Sequence, residues 1–236
     1  MDKNITYKPF GDKAILIEWD AIINEEILID ILNFKSKIKK NSKTVFYDFI
    51  LGYNSLTLKY KNHYSSFSDE VLQLKNIYQS ELKVEKQTNY LWTIPVCYDV
   101  QFGIDLEEVS KKSELNMKEI IQLHSEKRYT IFFIGFLPGF LYLGGLSEQL
   151  YFDRKPNPRL KVDKGSVAIG GKQTGIYPFN SPGGWNIIGK TPIDFFDVKK
   201  DDPCFAKAGD CIQFQPISKE EFYQIEHKIT KNKYQL

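Results

Sequence analysis

From its start to about residue 85 the chain alternates short strand-like runs with longer stretches of helical period, about 3.6 residues per turn. Ala14, Ile15, Leu16 and Ile17 lie in a strand-like run. Ile27, Ile31 and Ile38 then fall roughly on one helical face, behind Asn24 as a capping residue. Thr44 to Ile50 and Leu56 to Tyr60 read as the strands of a hairpin around a Gly-Tyr-Asn-Ser turn. Ser68 is placed to cap a second helix whose Val71, Leu74 and Ile77 or Tyr78 point inward. The order ββαββα, closed by a strand near Lys83 to Lys86, predicts a small ferredoxin-like α+β domain. The polar run Glu85 to Asn89 is the best boundary, dividing the chain into residues 1–87 and 88–236.

After the boundary the pattern changes. Leu91 to Cys97 reads as a strand whose Pro95 favours a sheet edge or a bulge. Asp105 with Glu108, and Asn116 with Glu119, have the spacing of a helix cap and its third residue, so two short helices are expected before Arg128. Ile120 and His124 share a face of the second. From Tyr129 to Pro216 the strands are short and turn signals frequent, as in a mainly-β closed barrel. The window from Gly135 to Pro192 holds 11 of the 15 glycines and six of the ten prolines. Such density marks shaped loops and backbone brought close to other groups, which is where function is to be sought.

Composition narrows the possibilities. Apolar content of 42% and charged content of 26% are those of an ordinary globular protein. A net charge of +2, from 32 basic and 30 acidic side chains, lacks the footprint of a nucleic-acid binder. The first residues do not have the pattern of a signal peptide, and no apolar run reaches the roughly 20 residues of a membrane span, so a cytoplasmic protein with no membrane partner is expected. Cys97, Cys204 and Cys211 form no C-x-x-C and read as small apolar residues.

Several chemistries are absent as motifs. Gly165 to Thr174 superficially resembles a phosphate-binding loop, but Ser166 stands where a glycine is required and Gln173 where a magnesium-binding hydroxyl is required. Thr174-Gly175-Ile176-Tyr177-Pro178 cannot continue as the helix such a loop opens. No G-x-S-x-G or H-E-x-x-H occurs, and His63, His124 and His227 are far apart, so no metal site is expected.

Five linked segments carry a resemblance: Gly135 to Leu146 (GFLPGFLYLGGL), Pro158-Arg159, Gly165 to Ile169, Gln173 to Pro178 and Ser181 to Trp185 (SPGGW). In that order they are similar to the allophanate hydrolase subunit 1 family, which includes the 5-oxoprolinase B subunits and the sensor-kinase inhibitor KipI. The match is detailed over about residues 90 to 216. It implies a cyclophilin-like barrel behind the α+β domain, and a partner, the C subunit, with a similar barrel. Together with the A subunit, the assembly would open 5-oxo-L-proline to L-glutamate while hydrolysing ATP, which this chain has no phosphate-binding loop to hold. The lone chain would then be inactive. The resemblance equally admits an inhibitor that binds a sensor histidine kinase, or a carboxyltransferase-type component acting on urea or allophanate. One departure stands out: Gln101 occupies a segment in which many relatives have an acidic residue.

Opening a lactam needs donors near the developing negative oxygen and a group that manages protons. His124 is the titrating candidate, against a plain reading as a helix-face histidine at the edge of the core. Lys172 and Gln173 follow two glycines and could meet an anion and an amide, or form a polar turn. These three are the catalytic candidates. Arg159 could clamp a carboxylate or make a surface ion pair, and Gln101 could bind an amide. Tyr142, Tyr177, Ser181 and Trp185 complete the substrate- or partner-binding set, with packing the competing role for Trp185.

Overall fold

The computed structural model describes residues 4–41, 46–64, 66–82 and 88–230. Met1–Thr88 and Asn89–Leu236 pack as two units. In the first, β1 (Thr6–Pro9), β2 (Ala14–Glu18), α1 (Glu25–Asn41), β3 (Phe46–Leu51), β4 (Ser55–Tyr60) and α2 (Phe67–Gln79) follow one another. Their strands form one antiparallel sheet in the order β1-β2-β4-β3. Its alternating Ile15 and Ile17, with Leu56 and Leu58, are buried against Ile31, Phe34 and Ile38 of α1 and Leu74 of α2. The side chain of Asn24 accepts the Glu26 N–H at 2.6 Å, as expected of a residue opening α1. The second helix starts earlier than its pattern predicts: Ser66, not Ser68, is the cap, accepting the Asp69 N–H, and the two added residues bring Phe67 against the core. The expected strand near Lys83 to Lys86 lies outside the described residues.

The second unit is built on a seven-stranded sheet. Its strands are β5 (Leu91–Val96), β6 (Arg128–Ile134), β7 (Leu141–Gly144), β9 (Ser166–Gly170), β10 (Gln173–Ile176), β12 (Asn186–Lys190) and β13 (Cys211–Pro216). The order is β12-β9-β10-β7-β6-β13-β5, antiparallel except for the parallel pair of β13 and β5. A bridge between Cys97 and Lys190 brings the two ends together through N–H···O bonds of 2.8 and 2.9 Å, so the sheet is a nearly closed barrel. Pro95 is tolerated because β5 ends the ladder and pairs only with β13. β8 (Arg159–Val162) and β11 (Ser181–Gly183) form a separate two-stranded ribbon.

Two short helices, α3 (Leu106–Ser113) and α4 (Met117–Ser125), occupy the stretch before β6. Asn116 and Glu119 make the reciprocal capping box that their spacing predicts. Asp105 does not: it stands at the start of α3 but its side chain makes no cap bond. A final helix, α5 (Lys219–Thr230), is not among the elements expected above, and it buries Phe222 against Phe102 with ring centroids 4.6 Å apart.

Candidate functional site

Five segments of the barrel unit meet around one cleft of about 330 Å³. They are the β6–β7 loop with Phe136 and Phe140, Tyr142 of β7, the run Arg154 to Pro158, Tyr177 after β10, and Pro182 to Trp185 around the end of β11. Trp185 is the floor, only 4% exposed. It fits because Gly170 and Gly175 leave room: a Cβ on Gly170 would lie 2.6 Å from the indole, and one on Gly175 3.1 Å from it. Phe140 stands edge-on to both Trp185 and Tyr177, with centroids 5.5 and 5.2 Å away. Tyr142 stacks on Phe133 at 4.3 Å. Phe136, 63% exposed at the rim, holds a φ of 65°, a left-handed conformation that a bulky side chain rarely adopts.

Three cations border this aromatic box, and they are not equivalent. Lys155 is bonded to Asp105 at 3.0 Å and Glu108 at 2.7 Å. Arg159 bonds through Nη2 to the same Asp105, whose other oxygen accepts the Ile187 N–H at 2.7 Å. Asp105, 3% exposed, thus ties the loop before β8 to α3 and β12. Bonds from Lys112 and Lys155 hold the Glu108 carboxyl down to about 2. Burial opposes the Lys155 ammonium, but its bonds to Glu108 and Asp105 outweigh this and raise its pKa. Arg154 differs: its guanidinium carbon lies 5.6 Å from the Trp185 ring centre, and no acid pairs with it among the described residues. Burial raises the pKa of Tyr142, against the pull of Arg154. Burial likewise raises that of Tyr177, against a bond from the Trp185 backbone and the charges of Arg154 and Arg159. Both phenols therefore stay protonated at neutral pH, as donors beside a cation.

Of the residues singled out in the sequence, Tyr142, Tyr177 and Trp185 come together in the cleft. Arg159 borders it, paired in the ribbon with Gly183, with its Nη1 buried and without a partner among the described residues. Ser181 is mostly buried in β11 and donates to the Pro182 carbonyl at 3.2 Å. Lys172 and Gln173 sit at the β9–β10 turn and do not line the cleft. The Lys172 ammonium lies 5.7 Å from the Tyr151 ring centre, and the Gln173 carbonyl oxygen is buried without a partner among the described residues. Gln101 is exposed on the turn before α3, its N–H bonded to Asp99.

His124 requires a correction. It is wholly buried in the barrel, stacked on Phe214 at 4.5 Å, and burial alone drives its pKa down to about 3. Thr174 spends its hydroxyl proton on the Ala168 carbonyl, so it accepts from His124 Nε2–H, and Nδ1 accepts from the Tyr98 hydroxyl at 2.7 Å. Every proton in this chain of donors is committed, and the neutral ring is a structural joint rather than an exposed acid or base.

Among the described residues no three His, Cys, Asp or Glu side chains gather as a metal site, and no helix is long and apolar enough to cross a membrane. Arg154 of the cleft and Asp105, which pairs with its neighbours, carry no signal of their role in the sequence. Arg154 lies in an Asp-Arg-Lys-Pro-Asn-Pro run with the composition of any solvated loop, and Asp105 has the spacing of a cap.

Comparison with known proteins places this geometry. Residues 5–206 match the family model of the carboxyltransferase domain, subdomain C and D. The 5-oxoprolinase B subunit of Bacillus subtilis is 35% identical over 226 residues, covering 90% of this chain and 93% of that protein. Its counterpart in Haemophilus influenzae is 44% identical over 165 residues, 70% of this chain and 76% of that protein. The crystal structure of the Kluyveromyces lactis urea amidolyase superposes on 98% of this chain and 16% of its own with a TM-score of 0.82. At 17% identity, that likeness shows the fold alone.

Proposed function

Because the chain belongs to the family of the carboxyltransferase domain, subdomain C and D, we propose that it is the B subunit of a 5-oxoprolinase. The observation that carries this reading is the 35% identity maintained over nine-tenths of both this chain and the Bacillus subtilis protein. The assembled enzyme would open the lactam of 5-oxo-L-proline to L-glutamate with ATP hydrolysis, using subunits A and C as partners in the cytoplasm. A lactam is resonance-stabilised like a peptide bond, so its carbonyl must be activated before water can open it. ATP supplies that activation in the complex. The residues of this chain do not fit a triphosphate: the Gly170-Gly171-Lys172 turn leads into β10 rather than a helix, and two of the three cations at the cleft are held by Asp105 and Glu108. We therefore assign nucleotide binding to a partner and the aromatic cleft to substrate or partner contact.

The finer fold assignments belong to the same reading. A ferredoxin-like N-terminal domain over residues 1–87 is supported by the β2-β4-β3 order with its two helices, β1 standing at the place of a fourth strand. A cyclophilin-like domain over 88–236 is supported by the nearly closed barrel. The test is co-expression with the A and C subunits and an assay of 5-oxoproline-dependent ADP release. Turnover is expected only in the full assembly. Release by the lone chain, or none by the assembly, would overturn the proposal.

A further inference from the structure

We propose that the aromatic cleft is a carboxylate-anchoring site for a small cyclic acid, with Arg154 as the residue that takes the carboxylate. The class of ligand follows from charge, size and wall chemistry. Lys155 is neutralised by Asp105 and Glu108, and Arg159 is tied to Asp105. That leaves Arg154 as the cation without an acid among the described residues, held over Trp185. A cation–π contact engages the charge and does not consume the N–H fork, which is shaped to grip a carboxylate with two parallel bonds. One guanidinium fork free of an acid matches one carboxylate.

Size and polarity point the same way. About 330 Å³ lies at the lower end of ligand-binding clefts and has room for a five-membered ring. Phe140, Pro158 and Trp185 give that ring apolar walls. Tyr142 and Tyr177 place phenols in the same cleft, each close enough to Arg154 to feel its charge. Kept protonated by burial, a phenol beside the anchored acid is a donor suited to a lactam carbonyl. Naming 5-oxo-L-proline as that acid rests on the oxoprolinase reading; the anchoring of a cyclic monocarboxylate does not.

The test has two arms. In the reconstituted complex, Arg154→Ala should raise KM for 5-oxo-L-proline by about ten- to a hundredfold, the worth of a hydrogen bond to a charged group, with a smaller change in kcat. Arg154→Lys, which keeps the charge and loses the fork, should recover only part. Arg154 is exposed, so neither variant threatens folding, and co-purification of the partner subunits confirms assembly. In the second arm, cyclopentanecarboxylate, an acid without the lactam, should compete with substrate, whereas 2-pyrrolidinone, a lactam without the acid, should not. A KM within twofold of wild type, or equal competition by both analogues, would overturn the assignment. If the wild-type complex does not turn over 5-oxoproline at all, the oxoprolinase reading fails. Saturation-transfer NMR of cyclopentanecarboxylate on the full chain then decides the site: binding abolished by Arg154→Ala sustains it, and no binding removes it.

Discussion

Acidification should weaken the barrel through His124. The imidazole is wholly buried and stays neutral down to about pH 3, whereas in the unfolded chain it titrates near its ordinary value of 6.5. Its folded pKa is depressed, so its contribution is fully present above about pH 6.5 and is lost as pH falls toward 3, because the unfolded state gains a proton that the folded state refuses. Each unit of pH in that window is worth about 1.4 kcal/mol, so going from pH 7.5 to 5 costs about 2 kcal/mol. The control is His124→Phe, which keeps the ring stacked on Phe214 but deprives the buried Tyr98 hydroxyl of its acceptor. That should cost about 1–3 kcal/mol at pH 7.5 and bring no titration of its own. The two stabilities should therefore converge near pH 5. Urea unfolding in a Trp19→Phe background, with Trp92 and Trp185 reporting the barrel, measures both. If phenylalanine is not tolerated, His124→Gln keeps a donor and an acceptor. A wild-type stability whose fall with pH is the same as the variant's would refute the account of His124.

Two further changes probe the frame of the cleft. Gly170→Ala would place a methyl group 2.6 Å from the Trp185 indole, which is confined from other sides by Gly175 and Phe140. Overpacking of this kind costs about 1–3 kcal/mol, and it should shift Trp185 emission and lower turnover of the complex; unchanged emission and stability would count against it. Asp105→Asn removes the carboxylate shared by Lys155 and Arg159, 17% and 27% exposed, leaving Lys155 with Glu108 and Arg159 without its anionic partner. Since solvent reaches both cations, a loss of about 2–3 kcal/mol is expected, below the full penalty for breaking a buried pair, and a loss under about 0.5 kcal/mol in urea would show that the ties are dispensable.

Local chemistry explains which parts of the fold are legible in the chain. The hairpin of β3 and β4, the face of α1 and the capping box of Asn116 and Glu119 depend on residues within a few positions of one another. The start of α2 is ambiguous because Ser66 and Ser68 are equal as local caps, and only the packing of Phe67 distinguishes them. α5 has local signals of the same kind, with Phe222, Ile225 and Ile229 at helical spacing behind the reciprocally bonded Ser218 and Glu221. His124 is visible as a titrating residue but not as a buried one. Its partners, Tyr98, Thr174 and Phe214, lie on segments distant in the chain.

The same distinction governs the charges of the cleft. Asp105 looks like a cap because Glu108 stands three residues on, yet its bonds run to Arg159, 54 residues away, and to the Ile187 backbone, 82 away. Arg154, Lys155 and Arg159 are indistinguishable as letters in a polar loop, and what separates them is which of them Asp105 and Glu108 have already neutralised. A binding charge is one left over after the fold has paired the rest. It follows that moving the acid should move the function: in Asp105→Asn, Arg159 becomes a competing anchor while Lys155 keeps Glu108, and the selectivity for a single carboxylate should relax toward dianions such as succinate. Competition by succinate against 5-oxoproline in the wild-type and Asp105→Asn complexes measures this. Equal competition in the two would mean that charge pairing within the loop does not set the ligand's charge.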